Sequence, residues 1–347
     1  MKILAITPYP LEGPSSRYRV YNFEGPLRKE GIALDIRPFM TRAMYFRWMH
    51  RRVLDPPMLA RLLGRALRRV ADLLGARGHD AVWIHRQCAP ALHRVFDGVA
   101  VRAGPKLIFD MDDAVFTEYS IDGLLRHCDA ATVGNSYLAA YVRCVSARTE
   151  AVVVPTVVDP LVYRPVAHPA PARPVVGWIG TGASFRHYLL PVLPGIAETC
   201  RENGADLLVI ASPDVRPAVE EAGGRFAAWG LDSYIGALRG VDIGLMPLLD
   251  DAYVRGKCAF KLIEYGALGI PSVATDLGAN RDVVVDGVTG FLAASDEQFR
   301  ARLAQLIRDP GLRASLGGRA RARVLDHYSL EAQAQAVAGL MRRVVGG

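Results

Sequence analysis

Residues 255–275 read Arg255-Gly-Lys-Cys-Ala-Phe-Lys-Leu-Ile-Glu-Tyr-Gly-Ala-Leu-Gly-Ile-Pro-Ser-Val-Ala-Thr275, followed by Gly278, Asn280 and the run Asp286-Gly-Val-Thr-Gly-Phe-Leu292. The pattern predicts a helix over residues 258–268 that opens after Gly256 and ends at Gly269, with Pro271 leading into a strand. Lys257 stands at the helix start, Lys261 one turn in, and Glu264 at i+3 on roughly the same face. Two ammonium groups and a carboxylate beside the positive end of a helix dipole suit a diphosphate with a ribose next to it: the lysines meet phosphate and the carboxylate accepts from ribose hydroxyls. The alternative reading is a solvated helix with an ordinary Lys261 to Glu264 ion pair.

Outward from this segment, short Val- and Ile-rich runs alternate with helical patterns in both halves of the chain, which predicts βαβ units and parallel sheets. The expected strands of the first half are Ile3 to Thr7, Ala33 to Arg37, Ala81 to His85, Leu107 to Asp110, Ala131 to Gly134 and Val152 to Pro155. Those of the second half are Val175 to Ile179, Asp206 to Ala211, Arg225 to Ala228, Ile243 to Met246 and Ser272 to Thr275. Between the two series, Arg164-Pro-Val-Ala-His-Pro-Ala-Pro-Ala-Arg-Pro174 reads as an interdomain linker, because its prolines fit neither a helix interior nor a central strand. The expected division is residues 1–165 and 175–328.

A chain of 347 residues, 51% hydrophobic and 22% charged, supports two globular α/β domains and excludes a disordered or fibrous protein. The first ten residues hold a five-residue apolar run, too short for a signal sequence or a membrane span, and the five scattered cysteines lack CxxC spacing. A reducing cytoplasm is the expected location, with peripheral attachment at the inner membrane face. The net charge is +7, and nine arginines between Arg42 and Arg77 face only Asp55 and Asp72. Leu59, Leu62, Leu63, Ala66, Leu67, Val70, Leu73 and Leu74 follow helical spacing with Arg61, Arg65, Arg68 and Arg69 opposite them. This basic amphipathic helix reads either as core-packed with a solvated charged face or as a membrane-surface element. With the preceding run Met44-Tyr-Phe-Arg-Trp-Met49, residues 42–69 are expected to contact an anionic or lipid-linked acceptor or the membrane surface. Nucleic acid is not an expected partner, since the motifs of that class are absent.

A second element, Val175-Val-Gly-Trp-Ile-Gly-Thr-Gly-Ala-Ser-Phe-Arg-His-Tyr-Leu189, predicts a strand ending at Ile179, a turn through Gly180, Thr181 and Gly182, and a helix from about Ser184. The free amides of such a turn suit a phosphate. The full G-x-G-x-x-G spacing of a nicotinamide site is absent, and no acidic residue ends the next strand at Ile210-Ala211. Near the N-terminus, Gly13-Pro-Ser-Ser-Arg-Tyr-Arg19 follows the first strand, and Phe109-Asp-Met-Asp-Asp113 closes another with a cluster of carboxylates. His85 and His187 read as packed or surface groups.

Residues 255–292 resemble the C-terminal half of the retaining glycosyltransferases of GT-B fold called family four or group one: Glu264, Gly269, Pro271, Gly278, Asp286, Gly287 and Gly290 match in order and spacing. The resemblance is continuous from about residue 175 to 330 and weaker before it. It implies an α/β chain of two facing Rossmann-like domains with parallel sheets and an interdomain cleft, and a C-terminal helix, residues 329–347, crossing back to the first domain. In that family the glutamate matching Glu264 binds the donor ribose. The family's Arg and Lys after the strand align with Thr181 and Arg186, so the charge is kept at Arg186 only. Trp229 falls at the base-contacting strand-loop. Gly256 stands eight residues before Glu264, where members with paired glutamates carry the first carboxylate, and this leaves the sugar open.

The implied activity is retaining transfer of a hexosyl group from a nucleotide sugar to a glycan, lipid-linked or small-molecule acceptor. Arg186, Lys261 and Glu264 are the expected catalytic residues, and Gly180, Thr181, Gly182, Trp229 and Lys257 the expected donor-binding ones. Arg17, Arg19, Asp112 and Asp113 are expected on the acceptor side. The Asp110 to Asp113 cluster invites a D-x-D metal reading, but no metal and no bound cofactor are expected, because the basic donor site neutralises a diphosphate by itself. The alternatives are a nucleotide-sugar epimerase of the same fold and a catalytically silent carbohydrate- or lipid-binding module.

Overall fold

The computed structural model describes residues 1–51, 55–90, 93–166 and 172–347 and divides into two compact units, Met1–Val157 with Leu330–Gly347, and Val158–Ser329. The side chains of residues 49–51, 93 and 94 lie outside the described set, as do residues 167–171 of the expected linker and residues 52–54 of the basic arm.

The first unit is built on β1 (Lys2–Thr7), β2 (Ala33–Pro38), β3 (Ala81–His85), β4 (Lys106–Met111), β5 (Ala130–Val133) and β6 (Glu150–Val153), in the order β2-β1-β3-β4-β5-β6 with every pairing parallel. Parallel strands need crossover connections, and these cover both sheet faces, so the central strands are apolar throughout. Alternate residues feed two cores. Leu4, Ile6, Val82 and Ile84 pack on one side with Met58 and Leu73 of the helix Pro56–Leu74. Ile3, Ala5, Ala81 and Trp83 pack on the other with Val337, Ala338 and Met341 of the helix Leu330–Gly346. Ion pairs from Arg342 to Glu30 and from Arg343 to Glu150, both 2.8 Å, accompany that helix.

The second unit repeats the scheme with β7 (Val175–Ile179), β8 (Asp206–Ala211), β9 (Arg225–Ala228), β10 (Ile243–Met246), β11 (Ser272–Thr275) and β12 (Phe291–Ala293), all parallel in the order β12-β11-β10-β7-β8-β9. The expected strands of this half fall on these residues; β12, only three residues long, was not foreseen. In the first unit β6 begins two residues before its expected start and ends at Val153, before Pro155.

The fold revises two expectations. Residues 158–165, assigned by sequence to the N-terminal domain, belong with the second unit: Val158 bridges to Ser329, and Val158 and Tyr163 are buried among Tyr234, Leu262 and Tyr328. The basic helix is also rotated relative to its expected orientation. Arg69 is buried and donates to the backbone oxygens of Thr7 and Arg37, and Arg65 donates to those of Pro38 and Phe39, while Leu59, Leu63, Leu67 and Leu74 are exposed. Carbonyl oxygens at the ends of β1 and β2 need donors, and two arginines supply them where leucines cannot.

Candidate functional site

In the second unit β7 leads to β8 on one side while β10 leads to β11 on the other, so these adjacent strands mark the topological switch point, outside whose carboxyl ends doubly wound sheets bind ligands. Tyr265 is built into this seam. A Cβ on Gly244 would stand 2.3 Å from its ring, and its hydroxyl lies 3.3 Å from the oxygens of Gly177 and Leu245 and from the amide of Ile179. Burial pushes the Tyr265 phenol upward, so it stays a neutral hydrogen-bonding group.

Tyr265 belongs to the helix Phe260–Ala267, which is shorter than the expected 258–268. Its N-cap, Ala259, has φ +50°, a left-handed conformation that costs a non-glycine residue about 1–2 kcal/mol, and this turn separates it from the short helix Ala252–Arg255. Strain held at a helix mouth is typical of ligand sites. Glu264, on this helix, is 4% exposed, and its Oε1 accepts from the Tyr163 hydroxyl at 2.8 Å. Tyr163 Oη is in turn 2.7 Å from Tyr234 Oη, and the Tyr234 ring stacks on Trp229 with centroids 5.5 Å apart at 24°. Trp229 is 37% exposed. Two residues singled out by sequence, Glu264 and Trp229, are thus joined through two tyrosines that were not. Tyr163 gave no signal because it precedes a Pro-rich segment, and Tyr234 because it stands in an unremarkable short helix, Tyr234–Leu238.

The remaining donor-side candidates surround the same strand ends. Lys261 Nζ lies 5.2 Å from the ring centroid of Trp178, and Lys257 Nζ lies 5.0 and 5.4 Å from those of Tyr253 and Tyr188. Aromatic faces attract ammonium groups and help to place them. Gly180 is required by packing, since a Cβ there would stand 2.3 Å from the Trp178 ring; Gly182 lies against Ser212 and Asp214. Thr181 caps the turn Gly182–Ser184, its Oγ1 accepting from the Ser184 amide at 3.1 Å. Arg186 is exposed and paired with Asp214 at 2.5 Å, and Asp214 is held below the usual carboxylate range by a hydrogen bond from Ser212 and by Arg186.

The first unit has an analogous switch point between β1 and β3, and its strand ends carry a buried polar network. Asp110 accepts from Arg19 at 2.6 and 3.2 Å, from Thr132 at 2.6 Å and from Nδ1 of His85 at 2.7 Å. Burial alone would raise the Asp110 pKa, but Arg19 and His85 outweigh it and hold the carboxyl far below its ordinary value. Ser15 Oγ stands 2.9 Å from His85 Nε2, giving the order carboxylate, imidazole, hydroxyl. The Ser15 hydroxyl also donates to Asp112 Oδ2 at 2.7 Å, which ties the two carboxylates into one network. Arg86 has φ +61° and reaches Asp113 at 3.0 Å and Asp112 at 3.7 Å. Of the expected acceptor-side residues, Asp112 and Asp113 gather here. Arg19 is 1% exposed and engaged by Asp110, so the structure makes it a scaffold residue rather than a ligand contact. Arg17 is nearly buried and donates to Tyr18 Oη at 3.2 Å. His187 is exposed, with Nε2 3.4 Å from Asp251.

Residues 173–309 match the family model described as Glycosyl transferases group 1. No curated protein matches the chain. Anabaena HepE in complex with UDP is 13% identical over 99% of this chain and 100% of that one, with a TM-score of 0.70. Sucrose-phosphate synthase from Thermosynechococcus elongatus is 15% identical over 100% of both chains, TM-score 0.73, and a glycosyltransferase from Rickettsia africae is 14% identical over 99% of this chain and 98% of that one, TM-score 0.72. At such identities the likeness establishes architecture. The chain therefore has the GT-B fold, and its residues 173–309 match a group 1 glycosyl transferase domain.

Proposed function

We propose that this protein is a retaining glycosyltransferase that moves a sugar from a nucleoside diphosphate to a glycan, lipid-linked or small-molecule acceptor, without a metal ion. The observation that carries the reading is Glu264: a buried carboxylate at the switch point of the matched domain, oriented by Tyr163 and linked through Tyr234 to the exposed face of Trp229. A buried, oriented carboxylate suits the hydroxyls of a ribose, and a flat aromatic face suits a base.

In this reading Lys257 and Lys261 stabilise the departing diphosphate. Arg186 joins them by leaving Asp214, which is cheap, because a pair exposed on both sides is worth about 1 kcal/mol or less. The leaving phosphate takes the acceptor proton and no protein nucleophile is needed. Stabilising the charge on the leaving group is then the main catalytic contribution. Asp112, Asp113 and Arg86 form the acceptor side. HepE, crystallised with UDP, supports a nucleotide ligand at a site of this architecture.

Calorimetric titration of the full chain with UDP and GDP tests the proposal. Saturable binding that Glu264→Ala weakens at least tenfold supports it; binding unchanged in that variant removes its basis.

A further inference from the structure

We propose that the helix Pro56–Leu74 docks the protein on an acidic lipid bilayer through its leucines, with two arginines at the level of the headgroups. At 100° per residue, Leu59, Leu63, Leu67 and Leu74 lie within a sector of about 80°. They are 52%, 64%, 66% and 64% exposed, a coherent apolar stripe left in solvent by a helix whose other face is in the core. Isolated exposed leucines are ordinary, but four on one stripe of a 19-residue helix are not. Beyond the stripe come the exposed small residues Ala60, Gly64 and Ala71, and roughly 100–120° round from Leu67 the exposed Arg68 and Arg61. Leucine edge, small residues, then arginines is the cross-section of a helix lying in the plane of a membrane interface.

Charge selects the occupant. A second copy seated on this stripe would bring Arg61 and Arg68 towards their own counterparts, a like-charge approach that disfavours self-association. An acidic bilayer offers hydrocarbon for the leucines and opposite charge for the exposed Arg61 and Arg68. Contact must be peripheral, because among the described residues no helix is long and apolar enough to cross a membrane. The surface is distinct from the donor-side residues and is tested without nucleotide.

The full chain is sedimented with vesicles of phosphatidylcholine alone and of phosphatidylcholine with phosphatidylglycerol, at low and high salt. The expected result is co-sedimentation with the acidic vesicles, weakened by salt. Leu63→Gln with Leu67→Gln should lower the vesicle affinity at least tenfold at an unchanged Tm, since both side chains are exposed. Arg61→Gln with Arg68→Gln should remove most of the salt dependence and leave a weaker apolar attachment. Absence of wild-type binding to acidic vesicles at low salt, or binding indifferent to both pairs, overturns the proposal. So does a wild-type dimer in analytical ultracentrifugation that the leucine pair converts to monomer, because the stripe then belongs to a second copy.

Discussion

The hydroxyl of Tyr163 donates to Oε1 of Glu264 at 2.8 Å, while its oxygen stands 2.7 Å from the hydroxyl of Tyr234. Since each phenol has one proton, Tyr234 donates to Tyr163 and Tyr163 to Glu264, so the chain of bonds has one direction and ends on the carboxylate. Removing the terminal carboxylate should be the most damaging change. Glu264→Ala is expected to weaken nucleotide binding about ten- to a hundredfold, since charge-assisted bonds to ribose hydroxyls are worth roughly 1.5–3 kcal/mol each. Glu264→Gln should be milder, because one acceptor oxygen remains for Tyr163. Tyr163→Phe should raise KM for the donor with a smaller effect on kcat, as it loosens the carboxylate without deleting it. Steady-state kinetics of the three variants distinguish these outcomes. Tyr265 is unsuited as a neighbouring control, because its buried ring and hydroxyl hold β7 to β10.

Turnover is expected to survive EDTA. Asp110, Asp112 and Asp113, the carboxylates that resemble a D-x-D motif, are bound to Arg19, His85, Ser15 and Arg86, and in the proposed reading Lys257 and Lys261 of the second unit neutralise the diphosphate. Loss of activity on chelation with recovery on adding Mn²⁺ or Mg²⁺ would turn this cluster into a metal site.

Breaking the buried pair between Arg19 and Asp110 should threaten folding before it touches catalysis. Both side chains are essentially inaccessible, and a buried pair stripped of one partner typically costs about 3–5 kcal/mol. Arg19→Met should therefore lower the denaturation midpoint strongly, whereas Asp113→Asn, at a half-buried site paired with Arg86, should leave stability within about 1 kcal/mol and act on acceptor KM. Urea titrations of the two variants read the difference.

Asp97 carries a pH signature. Burial pushes its carboxyl up to about 7, partly offset by a hydrogen bond from Cys88, and its Oδ1 has no hydrogen-bond partner in the structure. The unfolded value is near 3.9, so between about pH 4 and pH 7 the folded chain binds a proton that the unfolded chain does not. Its contribution is full below about pH 4 and disappears as pH rises through 7. Asp97→Asn should match wild type in Tm near pH 4 and exceed it at pH 8. Asp110 has the opposite sign, its depressed pKa withdrawing stability only as pH falls below about 4. Equal Tm differences at both pH values would exclude this account.

The sequence by itself determined the strands and their alternation with helices, because a two-residue period and Val- and Ile-rich runs are local properties, and it marked Glu264, Lys261, Lys257 and Trp229. It also located Gly180 and Gly182 in the turn after β7, whose free amides it read as suited to a phosphate, while their small size is required by packing against Trp178 and Asp214. Only the tertiary structure decided which groups meet. Tyr163 and Glu264 are 101 residues apart, and no local pattern links a tyrosine before a proline-rich segment to a carboxylate on a distant helix. The arginine-rich helix shows the same limit from the other side. Periodicity fixed which residues share a face, but which face turns inward depended on the backbone oxygens of Thr7, Arg37, Pro38 and Phe39, whose need for donors drew Arg65 and Arg69 inward and left Leu59, Leu63, Leu67 and Leu74 in solvent.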